Sequence, residues 1–177
     1  MNRTLGAIAA VGLAGLAGGA LDAQAVSAPT CSAASLGAWA GSTQGAAGTL
    51  LTEFAFVNKG ARACSLIGYP RVQMESAAGK PIATTDEDAS GFLGLRRVLV
   101  VIAPGKRAYF GVAYPDSTGA GQRRCPTAAE LELTPPGSSA PVLLTGSGAA
   151  ITPYAGSNRK LGCGVVEPTY VTATRFQ

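Results

Sequence analysis

The cysteine and histidine content limits the chemistry open to this chain of 177 residues. The chain has no histidine and four cysteines, which are Cys31, Cys64, Cys125 and Cys163. Without an imidazole to take the proton, neither Ser-His-Asp nor Cys-His catalysis is available. A zinc–thiolate site is not expected either, because no Cys-x-x-Cys spacing occurs. We therefore expect structural disulfides and no cofactor.

Four cysteines can pair in three ways. We favour Cys31 with Cys64 and Cys125 with Cys163, because each of these pairs ties a terminal segment to a neighbouring strand. In the chain-entropy account, closing each loop of about 35 residues contributes at most about 4 kcal/mol. Such bonds persist in oxidising compartments, so the cysteines indicate export from the cytoplasm.

Two other constellations could support catalysis, but each lacks its partners. Ser157 and Lys160 have the Ser-x-x-Lys spacing of penicillin-recognising enzymes, in which the lysine can act as base. No Lys-Thr-Gly follows and no helix is indicated there, so we interpret the segment as a loop. Glu130 and Glu132 share one face of a predicted strand, whereas glycoside hydrolysis needs two carboxylates in a cleft. We therefore do not expect an enzyme.

The segment Asp86-Glu87-Asp88-Ala89-Ser90-Gly91 resembles the start of a calcium loop. Oxygens of Asp86, Asp88 and Ser90 alternate along it, and the glycine after them would permit the bend. The twelfth position is Arg97, where a calcium loop has a bidentate glutamate. The main expectation is a solvated acidic turn, and calcium binding by Asp86, Asp88 and Ser90 is the alternative.

Basic pairs recur in predicted loops and at strand ends, among them Arg96-Arg97 and Arg123-Arg124. Gathered at one end of the fold, these four arginines would bind an anion of a wall polymer, an acidic glycan or a lipid headgroup. The alternative is that they provide solubility and discourage edge-to-edge pairing of strands. The net charge of +4 does not by itself demand an anionic partner. Nucleic acid is not expected, because no aromatic stripe accompanies the arginines.

The elements that would position these residues are strands. No window after residue 25 has a sustained 3.6-residue apolar period, and 24 glycines and 11 prolines punctuate short apolar or alternating runs. These runs include residues 49–57, 61–66, 71–75, 98–102, 106–114, 130–134, 142–145, 161–167 and 170–176. Residues 98–102 are the most apolar run and are expected to be buried on both faces, with residues 106–114 pairing back onto them. The pattern predicts an all-β protein, an Ig-like antiparallel β-sandwich of about eight or nine short strands with two disulfides.

The amino terminus has the order of parts typical of a secretory signal peptide. Arg3 supplies a positive start, residues 5–20 form an apolar run, and Ala23-Gln24-Ala25 offers small residues for cleavage. The run is shorter than the roughly 20 residues that span a bilayer, so no transmembrane anchor is expected. We predict a signal peptide at residues 1–25 and a single domain at residues 26–177, secreted and either extracellular or associated with the cell wall.

The most distinctive local signature is Cys64-Ser65-Leu66-Ile67-Gly68-Tyr69-Pro70, six residues after Asn58. Together with Cys31, Pro104-Gly105, and Cys125 ahead of Leu131-Glu132-Leu133-Thr134-Pro135-Pro136-Gly137, it resembles an actinobacterial family of secreted proteins and lipoproteins, the domain of unknown function 4232. The resemblance covers residues 31–166. It implies a disulfide-containing β-sandwich at or beyond the cell envelope and carries no established activity. Many relatives have a lipid-accepting cysteine, and this sequence departs from them.

These observations favour a binding function over catalysis. We expect a secreted, non-enzymatic module whose partner is an envelope protein or an anionic wall polymer, engaged through loops at one end of the fold. The alternative is a secreted hydrolase-like enzyme that uses carboxylates or the Ser157–Lys160 pair.

Overall fold

The computed structural model describes residues 28–46, 48–83, 85–88, 93–115, 123–152, 154–155, 163 and 165–176, with the backbone alone at residues 46, 123–124, 154–155 and 165. The predicted signal peptide, Ser90 and the Ser157–Lys160 pair lie outside these residues.

Within the described residues, the regular structure consists of strands and two short 3-10 turns, Ala33–Ser35 and Gly146–Ala149. The strands are β1 (Leu36–Ala46), β2 (Thr49–Asn58), β3 (Cys64–Ile67), β4 (Arg71–Glu75), β5 (Pro81–Ile82), β6 (Thr85–Asp86), β7 (Leu99–Ile102), β8 (Arg107–Pro115), β9 (Arg123–Arg124), β10 (Glu130–Thr134), β11 (Val142–Thr145), β12 (Tyr154–Ala155) and β13 (Val165–Pro168). This confirms the prediction of a mostly β protein. No helix in the described part of the chain is long and apolar enough to cross a membrane.

The strands form two larger sheets and two ribbons. The five-stranded sheet has the order β1-β2-β8-β13-β6, and the four-stranded sheet has the order β11-β10-β4-β5. The ribbons pair β12 with β9 and β3 with β7. All these pairs are antiparallel except β13 with β6, which is parallel.

The two larger sheets share one core because apolar residues alternate along their strands. In β2, Phe54 and Phe56 point to the same side and are fully buried. Phe110 of the adjacent β8 stacks on both rings, with centroid separations of 5.8 and 5.0 Å. Leu131 and Leu133 of β10, in the other sheet, belong to the same buried cluster. Burial of each such side chain stabilises the fold by about 1.5–3 kcal/mol.

The four cysteines lie in two neighbouring pairs, of which one is a disulfide. Cys31 and Cys64 form the first predicted disulfide, with an S–S distance of 2.05 Å and a Cα–Cα distance of 4.9 Å. It attaches the segment before β1 to β3. The second predicted pair are neighbours: the Cys125 thiol donates a hydrogen bond to the carbonyl oxygen of Cys163, at 3.2 Å. The first pairing is confirmed, and the second cross-link stays a prediction.

The expected pairing of residues 98–102 with residues 106–114 is wrong. β7 pairs with β3, whereas β8 pairs with β2. The backbone of Asn58, at the end of β2, accepts a hydrogen bond from Gly105 N–H and donates one to the carbonyl oxygen of Lys106. These bonds align the start of β8 with β2, so the turn between β7 and β8 connects the β3–β7 ribbon to the five-stranded sheet.

The expected burial of β7 on both faces is also wrong. Val100 and Ile102 are buried in the core, but Leu99 and Val101 are each 56% exposed. Because successive side chains of a strand point to opposite faces, a short apolar run can cover the core with every second residue only.

The C-terminal residues run along β8 instead of forming the predicted strand at residues 170–176. A single antiparallel bridge joins Thr172 to Tyr109, with backbone hydrogen bonds of 2.8 and 2.7 Å. Further along, Arg175 binds Glu53, which lies on the face of β2 opposite the core phenylalanines. The C-terminal segment therefore covers the outer face of the five-stranded sheet at this point.

Candidate functional site

A cleft of about 330 Å³ lies where four separate segments meet. We call it the tyrosine cleft. Its lining residues are Ile67, Gly68, Tyr69, Arg97, Pro136, Gly137 and Tyr170. They come from the end of β3, the approach to β7, the turn after β10 and the segment after β13.

Two glycines let the backbone form the walls of the tyrosine cleft. Gly68 has a φ of 117° and Gly137 a φ of 78°, values that side-chain-bearing residues rarely adopt. The carbonyl oxygen of Gly68 accepts a hydrogen bond from Val171 N–H at 2.9 Å. This bond fixes the C-terminal segment against the end of β3 and so brings Tyr170 next to Tyr69.

The two tyrosine rings and one guanidinium supply the chemistry of the cleft. The ring centroids of Tyr69 and Tyr170 are 6.0 Å apart with an interplanar angle of 37°, and Tyr69 is 40% exposed. Partial desolvation, together with a hydrogen bond to the Asp88 carboxylate, raises the pKa of Tyr170, and the nearby Arg97 opposes that rise. Aromatic faces beside a guanidinium suit a ligand that combines a ring or apolar face with a carboxylate or phosphate.

The predicted anion-binding arginines fall into two groups. Arg96 and Arg97 are exposed side chains just before β7, and Arg97 lines the tyrosine cleft. Arg123 and Arg124 form β9, paired with β12, and the structure describes their backbone only. The gathering of all four arginines in one patch therefore stays a prediction.

The acids of the predicted calcium segment have separate partners. Asp86 accepts a hydrogen bond on Oδ2 from Val72 N–H at 3.0 Å, while the Asp88 carboxylate interacts with Tyr170. Among the described residues, no group of three or more cysteine, aspartate and glutamate side chains is placed to hold a metal ion. The calcium alternative includes Ser90, which lies outside the described residues, and it stays a prediction.

A second cleft of about 380 Å³ contains two carboxylates. It is lined by Arg71, Val72, Gln73, Asp86, Glu132, Thr134, Ser139 and Pro141. Burial raises the pKa of Asp86, against the opposing effects of the Val72 hydrogen bond and the Arg71 charge. Its Oδ1 atom is buried and has no hydrogen-bond partner. Glu130 and Glu132 share one face of β10, as predicted, and are partly buried like Asp86, but Asp86 alone among the three has a buried oxygen without a partner.

Sequence reasoning missed the role of Tyr170. The residue falls within a run predicted to be a strand, and nothing in that run indicates a contact with Tyr69, about a hundred positions earlier. The only available signal was the Gly68-Tyr69-Pro70 motif, which marks a strand end with a partly exposed ring.

The comparisons with known proteins identify one relationship. No curated protein and no solved structure gives a significant match to the chain. The model of a protein family, described as a domain of unknown function (DUF4232), matches residues 31–176. On that match, which covers most of the sequence, the chain belongs to the DUF4232 family.

Proposed function

We propose that the protein is an exported, non-enzymatic binding module with the architecture of an Ig-like β-sandwich. The disulfide between Cys31 and Cys64 supports an oxidising location, as does the leader pattern of residues 1–25. Two larger sheets around one core support the sandwich architecture. The absence of histidine from the sequence supports binding over acid–base catalysis.

The tyrosine cleft is the binding site in this proposal, and its ligand is an anionic glycan or wall polymer. The observation that carries it is the convergence of Arg97 with the tilted ring pair of Tyr69 and Tyr170. A sugar ring can pack on an aromatic face while the guanidinium forms charge-assisted hydrogen bonds to a phosphate or carboxylate. Arg96, the residue before Arg97, is a second exposed positive charge.

The test is titration of the mature domain with a soluble poly(glycerol phosphate) that carries sugar substituents, at low and high salt. We expect affinity to fall as salt rises, because the contact involves exposed charges. Arg97→Ala should weaken binding about tenfold, from the loss of one charge-assisted interaction. Lys80→Ala, which removes an exposed positive charge outside the tyrosine cleft, is the matched control and should bind normally. An affinity that changes neither with salt concentration nor on substitution of Arg97 would overturn the proposal.

A carboxylate-dependent hydrolase is the second candidate, and the cleft of Asp86 and Glu132 favours it. An acid with a raised pKa in the same cleft as a second carboxylate is an arrangement that acid–base hydrolysis can use. The assay is release of reducing ends from cell-wall polysaccharide by the wild type and by Asp86→Asn and Glu132→Gln. If the wild type releases reducing ends and each substitution abolishes this activity, the hydrolase replaces the binding proposal. If the wild type releases none, this candidate is excluded for that substrate.

A further inference from the structure

We propose that the outer edge of β7 is a docking site for an extended, acidic segment of a partner protein, which would add to the β3–β7 ribbon as a third strand. This mode of recognition uses backbone hydrogen bonds for affinity and side chains on alternate positions for selectivity. The site adjoins the tyrosine cleft, with which it shares Ile67 and Arg97, but the argument for it does not depend on the function proposed for that cleft.

The hydrogen bonds of Ser65 show which backbone groups of β7 point outward. Ser65 N–H donates to the carbonyl oxygen of Pro29 at 2.7 Å, and its carbonyl oxygen accepts from Cys31 N–H at 2.9 Å. Both groups of Ser65 therefore point away from β7, toward the N-terminal segment. Since backbone groups alternate in direction along a strand, those of Cys64 and Leu66 point toward β7.

The register between β3 and β7 then shows which backbone N–H and C=O groups of β7 face β3. Leu66 lies opposite Val100, and Cys64 lies opposite Ile102, so Val100 and Ile102 form the ladder with β3. Leu99 and Val101 must direct their N–H and C=O groups to the other side. Within the described residues β7 pairs with β3 alone, and no partner is found for these outward groups.

The side chains next to this edge are also uncovered. Leu99 and Val101 are more than half exposed, and Ile67, directly opposite Leu99, is 43% exposed. Strand edges with unpaired backbone groups and apolar side chains readily pair with another chain. The edge thus offers two donors, two acceptors and a short apolar strip to one extended segment.

The basic residues that flank β7 indicate that the docking segment is acidic. Exposed Arg96 and Arg97 precede β7, and exposed Lys106 follows it. If a second copy paired antiparallel with Val101 opposite its counterpart, Arg96 of one copy would lie opposite Lys106 of the other. Parallel pairing would place the two arginine pairs side by side. Like charges directly opposite destabilise a strand pair, so an acidic partner fits this edge better than a second copy.

The experiment measures amide hydrogen exchange at Leu99 and Val101 in the mature domain. The probe is a capped peptide in which a short run of alternating valine and threonine is flanked by glutamate pairs. We expect both amides to exchange rapidly in the isolated domain and to be protected about tenfold or more at a saturating peptide concentration. The same peptide with lysine in place of glutamate should give no protection.

Val101→Pro provides a specific disruption, because it removes an outward N–H and leaves the bonds of Val100 and Ile102 with β3. It should abolish protection at Leu99, while Val101→Thr, which retains the N–H, should preserve it. If the proline variant does not fold, the exchange data on the wild type decide alone. Lack of protection by the glutamate peptide would overturn the proposal, as would protection without peptide that grows with protein concentration, which would identify a second copy as the occupant.

Discussion

Arg175 binds the buried carboxylate of Glu53, although 122 positions separate them in the sequence. The Arg175 Nε and Nη2 atoms donate to Glu53 Oε1 at 3.0 and 2.8 Å, and Phe176 N–H donates to Oε2 at 3.0 Å. Glu53 is only 4% exposed, and these bonds satisfy both of its oxygens. The carboxylate thereby fastens the C-terminal segment to the outer face of the five-stranded sheet.

The first prediction concerns this ion pair. Glu53→Gln removes the charge and places an amide N–H₂ where an acceptor is needed, so one buried hydrogen bond is lost. We expect the free energy of unfolding to fall by about 1–3 kcal/mol in urea titrations. The emission of Trp39 should also change, since its ring lies 5.4 Å from the Arg175 guanidinium.

The control for this prediction is a double-mutant cycle. Arg175→Met retains much of the aliphatic stem but cannot bind a carboxylate, so adding it to Glu53→Gln should cost little more than either change alone. Fully additive losses would show that Glu53 and Arg175 stabilise the fold independently.

The second prediction concerns the pH dependence of stability at Asp86. Burial raises the pKa of this carboxyl above its usual 3.8, so the folded state favours the protonated form. The stability that the protonated Asp86 carboxyl contributes is therefore present below about pH 4, and it is lost as the pH rises through the raised pKa of the folded state. Asp86→Asn retains an acceptor for Val72 N–H and carries no charge, so its stability relative to the wild type should increase from about pH 4 to pH 7. Parallel unfolding curves across that range would contradict the assignment.

The sequence predicted local strands well and predicted their partners poorly. β2, β4, β10 and β11 lie within a residue of the predicted runs, because alternation and turn residues act over short distances. The pairing of β8 with β2, and the Asn58 backbone bonds at its end, join residues far apart in sequence. No periodicity within a single run carries that information.

The same limit applies to the candidate sites. Arg97 was identified from its charge, but its neighbour Tyr170 is brought to it by long-range bonds such as that between Val171 and Gly68. Asp86 was identified as a metal-ligand candidate from spacing, whereas its raised pKa results from burial, which spacing does not report. Long-range contacts, and not residue types, decide what these side chains can do.

The third prediction is that Cys125 and Cys163 are cross-linked in the exported protein. Their contact across 38 positions supports it, and closing such a loop is worth at most about 4 kcal/mol. Mass spectrometry of a non-reduced digest should recover one peptide pair that contains both residues. Replacement of both cysteines by serine should lower the urea midpoint of the oxidised protein and leave that of the reduced protein nearly unchanged. Reactive thiols at both positions in protein purified from the medium would contradict the prediction.

The fourth prediction concerns Asn58, a buried amide with all its groups paired and an exposure of 1%. Its Nδ2 atom donates to the carbonyl oxygens of Arg62 and Ile102, each at 2.8 Å, and its Oδ1 atom accepts from Gly60 N–H at 2.8 Å. The side chain thus joins the end of β2 to the end of β7 and to the loop before β3. Asn58→Ala should cost about 1–3 kcal/mol of unfolding free energy, because these buried groups lose their partners.

Asn58→Asp distinguishes hydrogen bonding from simple space filling. At neutral pH a carboxylate oxygen would face the carbonyl oxygens of Arg62 and Ile102, so we expect a loss of about 3–5 kcal/mol, larger than for alanine. The loss should shrink on acidification, since the protonated acid can donate one hydrogen bond and carries no charge. Urea unfolding of the two variants at about pH 7 and pH 4 measures both effects. If the aspartate variant is as stable as the wild type at pH 7, the amide does not hold β7 to β2 through these bonds.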